Sequence, residues 1–136
     1  MATRKQLRDA VRAAVALDAT LSGHALAPWG QDLDEGTLAG LGVFTPREVK
    51  RREAAGQFAR QTDIVILIKR RGGDTLEDDL DTDVVAAESV ALTALDSLVD
   101  DIEAVQIETD IPGRGKQRLG QIALTLRAVQ LTSAPG

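Results

Sequence analysis

The chain has 136 residues and a formal net charge of −5, and this length is typical of one domain with one core. Aromatic residues make up only 2%, which disfavours pockets and single-stranded nucleic-acid sites built on aromatic stacking. The absence of cysteine excludes disulfides, zinc–thiolate sites and thiol nucleophiles. No apolar run approaches the ~18 residues of a membrane span. We therefore predict a single domain over residues 1–136 with no membrane partner.

The first predicted element is a helix over residues 5–19. Thr3 and Gln6 have the spacing of a capping box, and apolar residues from Leu7 onward recur at helical spacing. Gly23 is expected to end this segment. Residues 22–38 are rich in turn-forming and polar residues, so an irregular loop is predicted there, with Trp29 plugging an edge of the core.

Two strands with a basic connection are predicted next. Residues 41–46 form a short strand candidate, which Pro46 ends or places at a sheet edge. Residues 51–56 have weak structural preferences, and a mobile loop and a long hairpin connection are the two alternatives. Residues 62–69 are apolar at both alternating positions, which predicts a central strand covered on both sides.

A long amphipathic helix and two further strands complete the chain. The helix is predicted over residues 74–99, with a buried stripe at Leu76, Leu80, Val84, Ala87, Ala91, Leu95 and Leu98. Residues 104–111 alternate, which predicts a strand with one buried face. The last strand, over 119–131, changes phase, so a bulge near Arg127 and Ala128 is expected.

These elements predict an α/β fold of the two-layer α+β type. The order α-β-β-α-β-β suggests a mixed, mostly antiparallel sheet of about four strands carrying two main helices.

Charge is unevenly distributed along the chain. Residues 47–71 hold eight of the sixteen basic residues, whereas residues 74–110 hold thirteen of the twenty-one acidic residues and no basic one. Such a chain can present one positive and one negative surface, and head-to-tail contacts between copies are one use of that pattern. A solvated acidic helix beside basic loops is the simpler explanation.

Residues suited to catalysis or metal binding are few. The single histidine, His24, lies in the predicted loop and is expected to be an ordinary surface residue, because nothing supplies the rest of a hydrolytic relay. Asp79, Asp81 and Asp83 have the spacing of the first calcium ligands of an EF-hand. Val84 and Val90 stand where that loop needs glycine and glutamate. We therefore expect no enzyme activity, no metal and no cofactor.

Four segments together resemble the tail terminator proteins of long-tailed phages, the group that includes the lambda-like minor tail protein U. They are GVFTPRE at 42–48, TDIVILIKRRG at 62–72, EDDLDTDVVAAESVALTAL at 77–95 and VQIETDIPGRGKQRLGQIALTLRAVQL at 105–131. The resemblance lies in element order and hydrophobicity rather than in chemical motifs. The long loop and the shortage of aromatic residues depart from the pattern of this family. They leave open whether the chain serves a phage or a phage-derived particle such as a gene transfer agent.

The resemblance implies a structural virion protein that acts as a ring, expected to be a hexamer. Such a ring caps the finished tail tube, ends its polymerisation and offers a docking surface to the head. The implied partners are further copies of the chain, the major tail tube protein and head–tail connector proteins, with nucleic acid only passing through the ring. The implied location is the tail–neck region of a particle assembled in the host cytoplasm.

The candidate site residues are therefore charged interface residues at subunit or tail-tube contacts. The first basic patch comprises Arg47, Lys50, Arg51, Arg52 and Arg60, and a second comprises Arg114, Lys116 and Arg118. The candidate acidic partners are Asp78, Asp79, Asp81 and Asp83. Two alternatives stay open: a head–tail connector or neck protein, and a small ligand-binding or nucleic-acid-binding domain.

Overall fold

The computed structural model describes residues 2–27, 39–111 and 118–132, and this part contains two helices and five strands. In chain order they are α1 (Arg4–Leu17), β1 (Ala25–Ala27), β2 (Gly40–Ala54), β3 (Gln57–Gly72), α2 (Leu76–Leu95), β4 (Asp101–Asp110) and β5 (Arg118–Thr132). The predicted α+β fold, with two helices and four antiparallel strands in the order α-β-β-α-β-β, is confirmed. The short strand β1 is an addition to it.

The sheet has the order β1-β2-β3-β5-β4. All neighbouring strands are antiparallel except β1, which pairs in parallel with the start of β2. β1 lies within the predicted loop over residues 22–38; residues 28–38 of that loop, Trp29 among them, are outside the described part.

Helix α1 begins with the predicted capping box. The Thr3 hydroxyl accepts a hydrogen bond from the backbone N–H of Gln6, whose side chain accepts one from the N–H of Thr3. The helix ends at Leu17, earlier than predicted, because Asp18 adopts an extended backbone and its carboxylate accepts hydrogen bonds from the N–H groups of Thr20 and Leu21. Helix termination is thus achieved by a local side-chain cap before Gly23 is reached.

Helix α2 buries the predicted stripe, with two differences. Leu76, Leu80, Val84, Ala87, Ala91 and Leu95 are buried. Leu98 lies beyond the end of the helix and is partly exposed. Asp83 joins the buried stripe although it is charged.

The core lies between one face of the sheet and the two helices. Ile64, Ile66 and Ile68 of β3 are fully buried on this face, whereas Val65 and Leu67, which point the other way, are only partly buried. The prediction that the central strand is covered on both sides is therefore wrong. We call the face that carries Val65 and Leu67 the open face.

The basic segment forms a long β-hairpin. Strand β2 continues past Pro46 to Ala54, so the predicted short strand over 41–46 is wrong in length. The register shifts between Phe44 and Arg47, which places Pro46 in a bulge, where its missing N–H does not interrupt the ladder. Of the two alternatives for residues 51–56, the hairpin is observed, and Gly56 supplies the positive φ of its turn.

Strand β5 is regular, so the predicted bulge near Arg127 and Ala128 is wrong. It pairs with β3 from Thr132 to Arg118 without a register shift. Ala128 and Gln130 occupy the core-side positions. The buried Gln130 amide accepts a hydrogen bond from the Ala2 N–H at 2.9 Å and donates one to the Ala2 carbonyl at 3.1 Å. A polar residue can therefore fill a core position because its hydrogen bonds are satisfied.

Strand β4 forms an edge of the sheet. Its predicted buried face is wrong, because Ile107 is 49% exposed and Val105 lies near a register shift between Ala104 and Gln106. Because β4 has a neighbouring strand on just one side, its side chains are less buried than the alternation of its sequence predicts.

Candidate interaction surfaces

The first predicted basic patch lies mainly on the exposed half of the β2–β3 hairpin. Arg47, Lys50, Arg51 and Arg52 are all exposed. Arg51 is opposite Ala59 and Arg52 is opposite Phe58, so neither has an acidic residue directly across the strand pair. We call these four residues the basic hairpin. Arg47 is opposite Asp63 and Lys50 is opposite Arg60. The charges of Lys50, Arg51 and Arg52 therefore have no acidic residue directly across the strand pair and are available to a partner.

Arg60 has a different role from the rest of its predicted patch. Its side chain is only 12% exposed, and its Nε lies 3.3 Å from Oε1 of Glu48. Its guanidinium also donates a hydrogen bond to the Ala2 carbonyl. Arg60 therefore fastens the hairpin to the start of α1, and its charge is engaged within the chain.

Of the second predicted basic patch, Arg114 and Lys116 lie outside the described residues. Arg118 is the first residue of β5, opposite Gly72.

The predicted acidic residues separate into two groups. Asp78 and Asp81 are exposed on the first turns of α2, and Asp79 is partly buried and accepts a hydrogen bond from the Thr75 hydroxyl at 3.2 Å. Carboxylates at this end of a helix are stabilised by the helix dipole. Asp83, however, does not lie on this surface.

Asp83 is the centre of a buried ionic cluster. Its side chain is 1% exposed, and both of its oxygens accept hydrogen bonds from Arg70, at 2.9 and 3.1 Å. Nε2 of His24 lies 2.9 Å from Oδ2 of the same carboxylate. The cluster joins the segment after α1 to α2 and β3, so the buried carboxylate of Asp83 serves folding and is not available to another subunit.

The prediction that His24 is an ordinary surface residue is wrong, because its side chain is only 5% exposed. A carboxylate and an imidazole are two parts of a hydrolytic relay, but a substrate cannot reach a ring this deeply buried. The position of Asp83 could have been found from the sequence, because it is three residues after Leu80 and four before Ala87, in phase with the buried stripe. No comparable periodicity marks His24.

A second acidic surface was not singled out by the sequence patterns. Strand β4 carries Asp101, Glu103, Glu108 and Asp110, all of them exposed, and no basic residue. We call these four residues the acidic edge. The strand order places the acidic edge on one side of the sheet and β2, with the basic hairpin, toward the other.

The open face between these surfaces is mixed in character. Val65 and Leu67 of β3 lie beside Thr125 and Ala123 of β5 and are partly buried. Toward the hairpin, Nε of Arg127 lies 3.5 Å from Oδ1 of Asp63. Arg127 and Asp63 therefore pair near the centre of the open face, whereas β2 at one edge is net basic and β4 at the other is acidic.

Within residues 2–27, 39–111 and 118–132, no cluster of three or more histidine, cysteine, aspartate or glutamate side chains could hold a metal ion. The helices of this part are also too short or too polar to cross a membrane. Searches found no family model that matches the chain and no curated protein similar to it.

Proposed function

We propose that this chain is a structural virion protein, a tail terminator that acts as a ring, caps the tail tube and ends its polymerisation. The ring also provides the surface to which the head docks. The observation that carries this proposal is the exposure of opposite charges on separate parts of one small domain. The basic hairpin lies toward one side of the sheet, the acidic edge lies at the other side, and α2 exposes further carboxylates. The resemblance in element order and hydrophobicity supports it.

Separated opposite charges favour contacts between different surfaces of identical copies. A contact of this heterologous kind generates a ring when its rotation closes. Like-charged surfaces repel, so the pattern disfavours two copies meeting through the same patch and selects one orientation. A closed ring presents two different faces, and this is what a cap needs: one face binds the last tube layer, and the other does not accept another tube subunit.

The basic hairpin is the part of the domain best placed to reach a partner. Arg51 and Arg52 lie near its turn, where β2 is exposed from Lys50 to Ala54. In the proposed role these side chains contact a neighbouring subunit or the tail tube protein, and the chain catalyses no reaction and needs no cofactor. The further partners are head–tail connector proteins, with nucleic acid only passing through the ring.

The test mixes the purified protein with isolated tail tubes and with polymerising tube protein. Electron microscopy should show density capping one end of each tube, and added protein should shorten the tubes formed. The Arg51→Glu/Arg52→Glu variant should lose both effects. Arg4→Glu/Lys5→Glu is the matched control, because it makes the same charge change at exposed positions in the first turn of α1.

Two results would overturn the proposal. Tubes that stay uncapped and grow to the same length with and without the protein would exclude a terminator. Binding to tail-less heads in place of tubes would instead identify a head–tail connector.

A further inference from the structure

The two outer edges of the sheet differ in charge and are both available for strand pairing. In the described part of the chain, β4 pairs only with β5, and β2 pairs only with β3 from Arg47 to its end. An exposed edge presents backbone N–H and C=O groups that can pair with another strand. Each of these edges is therefore a possible site of sheet extension.

The side chains along these edges are complementary on the open face. The pairing register places Asp101, Glu103, Gln106, Glu108 and Asp110 of β4 on this face. The same register places Arg47, Val49 and Arg51 of β2 on it. Glu53 lies beside Val49 and Arg51 on this face, so the two arginines leave this part of β2 with one net positive charge. Opposite charges directly across a strand pair stabilise it, and like charges destabilise it.

We propose that β4 of one copy pairs with β2 of a second copy, along residues 47–54, so that the sheet continues from subunit to subunit. This inference rests on the proposed function for the expectation that copies of the chain assemble. What it adds is the pair of surfaces through which they meet. The occupant of each edge is a second copy of this chain.

Strand direction permits this contact. Because β2, β3, β5 and β4 are antiparallel in turn, β2 and β4 run in opposite directions. A neighbour that keeps the same orientation therefore presents its β2 antiparallel to β4. That geometry is compatible with a rotational ring and keeps the open faces of successive subunits on the same side.

Charge selects this pairing over its alternatives. Two copies of β4 would bring two sets of four carboxylates together, and two hairpins would bring together two sets of basic residues. Charged edge strands commonly prevent aggregation, and here the opposite signs block pairing of like edges while favouring pairing of unlike ones. The contact would also cover Ile107, which the isolated subunit leaves 49% exposed.

The test exchanges the charges of the two edges. Asp101→Lys/Glu103→Lys/Glu108→Lys makes β4 basic, because only Asp110 then keeps a negative charge. Arg51→Glu/Arg52→Glu makes residues 47–54 acidic, because the two new glutamates join Glu48 and Glu53 and only Arg47 and Lys50 stay basic. In either variant the two edges carry the same sign, so each should remain monomeric by light scattering at concentrations at which the unmodified protein assembles. A mixture of the two should assemble, because every β4 then meets a hairpin of opposite charge in alternating copies.

Two controls separate this edge from other acidic surfaces and from unfolding. Glu77→Lys/Asp78→Lys/Asp81→Lys, at exposed positions of α2, makes the same change in net charge as the β4 variant and should assemble normally. Thermal melting checks that every variant is folded. Recovery in the mixture is itself a control, since a misfolded variant could not restore assembly.

A direct measurement uses the absence of native cysteine. A flexible bis-maleimide should join Val49→Cys/Gln106→Cys copies into a ladder, and a Val49→Cys/Asp81→Cys variant should give no ladder.

The inference is overturned if the mixture does not assemble, if the α2 control also loses assembly, or if the unmodified protein stays monomeric and the ladder is absent. Tube capping is measured in a separate experiment. If the two edges pair but the protein does not cap tubes, only the proposed function is refuted. If the β4 variant still caps tubes, only this inference is refuted.

Discussion

The carboxylate of Asp83 lies 2.9 Å from Nε2 of His24, and it also accepts two hydrogen bonds from Arg70. The contact joins residues 59 positions apart in the chain. It holds the segment that leads into β1 against α2. The charge of this carboxylate thus contributes to tertiary structure, in contrast to the neighbouring Asp81, which is exposed.

Replacement of Asp83 should be strongly destabilising. Asp83→Ala removes one partner of a buried ionic cluster and leaves Arg70 and His24 without their acceptor, which typically costs about 3–5 kcal/mol. Denaturant unfolding followed by circular dichroism measures the free energy of unfolding. The matched control, Asp81→Ala, changes the same charge at an exposed position and should shift it by less than about 0.5 kcal/mol. Equal effects of the two variants would contradict a structural role for the cluster.

Gln130 should hold the N-terminal segment to β5. Gln130→Leu removes the bonds to the N–H and carbonyl of Ala2. The carbonyl keeps its hydrogen bond from Arg60, but the buried N–H is left without its acceptor, so a loss of about 1–3 kcal/mol is expected. Hydrogen exchange should show weaker protection in the first turn of α1. Leu131→Ala, at an exposed position on the open face, is the comparison; if it loosens the N-terminus as much, the Gln130 bonds are not responsible.

Gly120 should be intolerant of a side chain. A Cβ there would lie 3.0 Å from side-chain carbons of both Leu76 and Leu80, which are buried in the core and have little room to move. Gly120→Ala should therefore destabilise the fold by about 1–3 kcal/mol through overpacking. Gly23→Ala is the control, because no atom lies within 4 Å of the added carbon. A neutral Gly120→Ala would show that α2 can shift away from the sheet.

Self-assembly should weaken with ionic strength. The proposed subunit contact depends on exposed opposite charges, and the screening length falls from about 10 Å at 0.1 M salt to about 3 Å at 1 M. Light scattering at several concentrations and two salt levels should show a discrete oligomer that dissociates at the higher level. An oligomer that becomes more stable in salt would point to an apolar contact through another surface.

Much of the architecture follows from patterns that the sequence carries locally. The capping box of Thr3 and Gln6, the stripe from Leu76 to Leu95 and the apolar run of β3 each depend on residues close in the chain. These patterns were sufficient for the helices, the four main strands and their order. The separation of charge along the chain also predicted that basic and acidic residues would lie on separate surfaces.

The sequence by itself therefore determined the two helices, the buried stripe of α2 and the order of the four main strands, because hydrophobic periodicity and capping act over a few residues. Tertiary structure decided what covers each element: β4 lost its buried face by becoming an edge, and β3 kept one face open. It also brought Arg70 and His24 to the inward-facing Asp83, and it placed the acidic edge and the basic hairpin toward opposite sides of the sheet. These outcomes depend on strand order and on contacts between residues far apart in the chain, which no local pattern encodes.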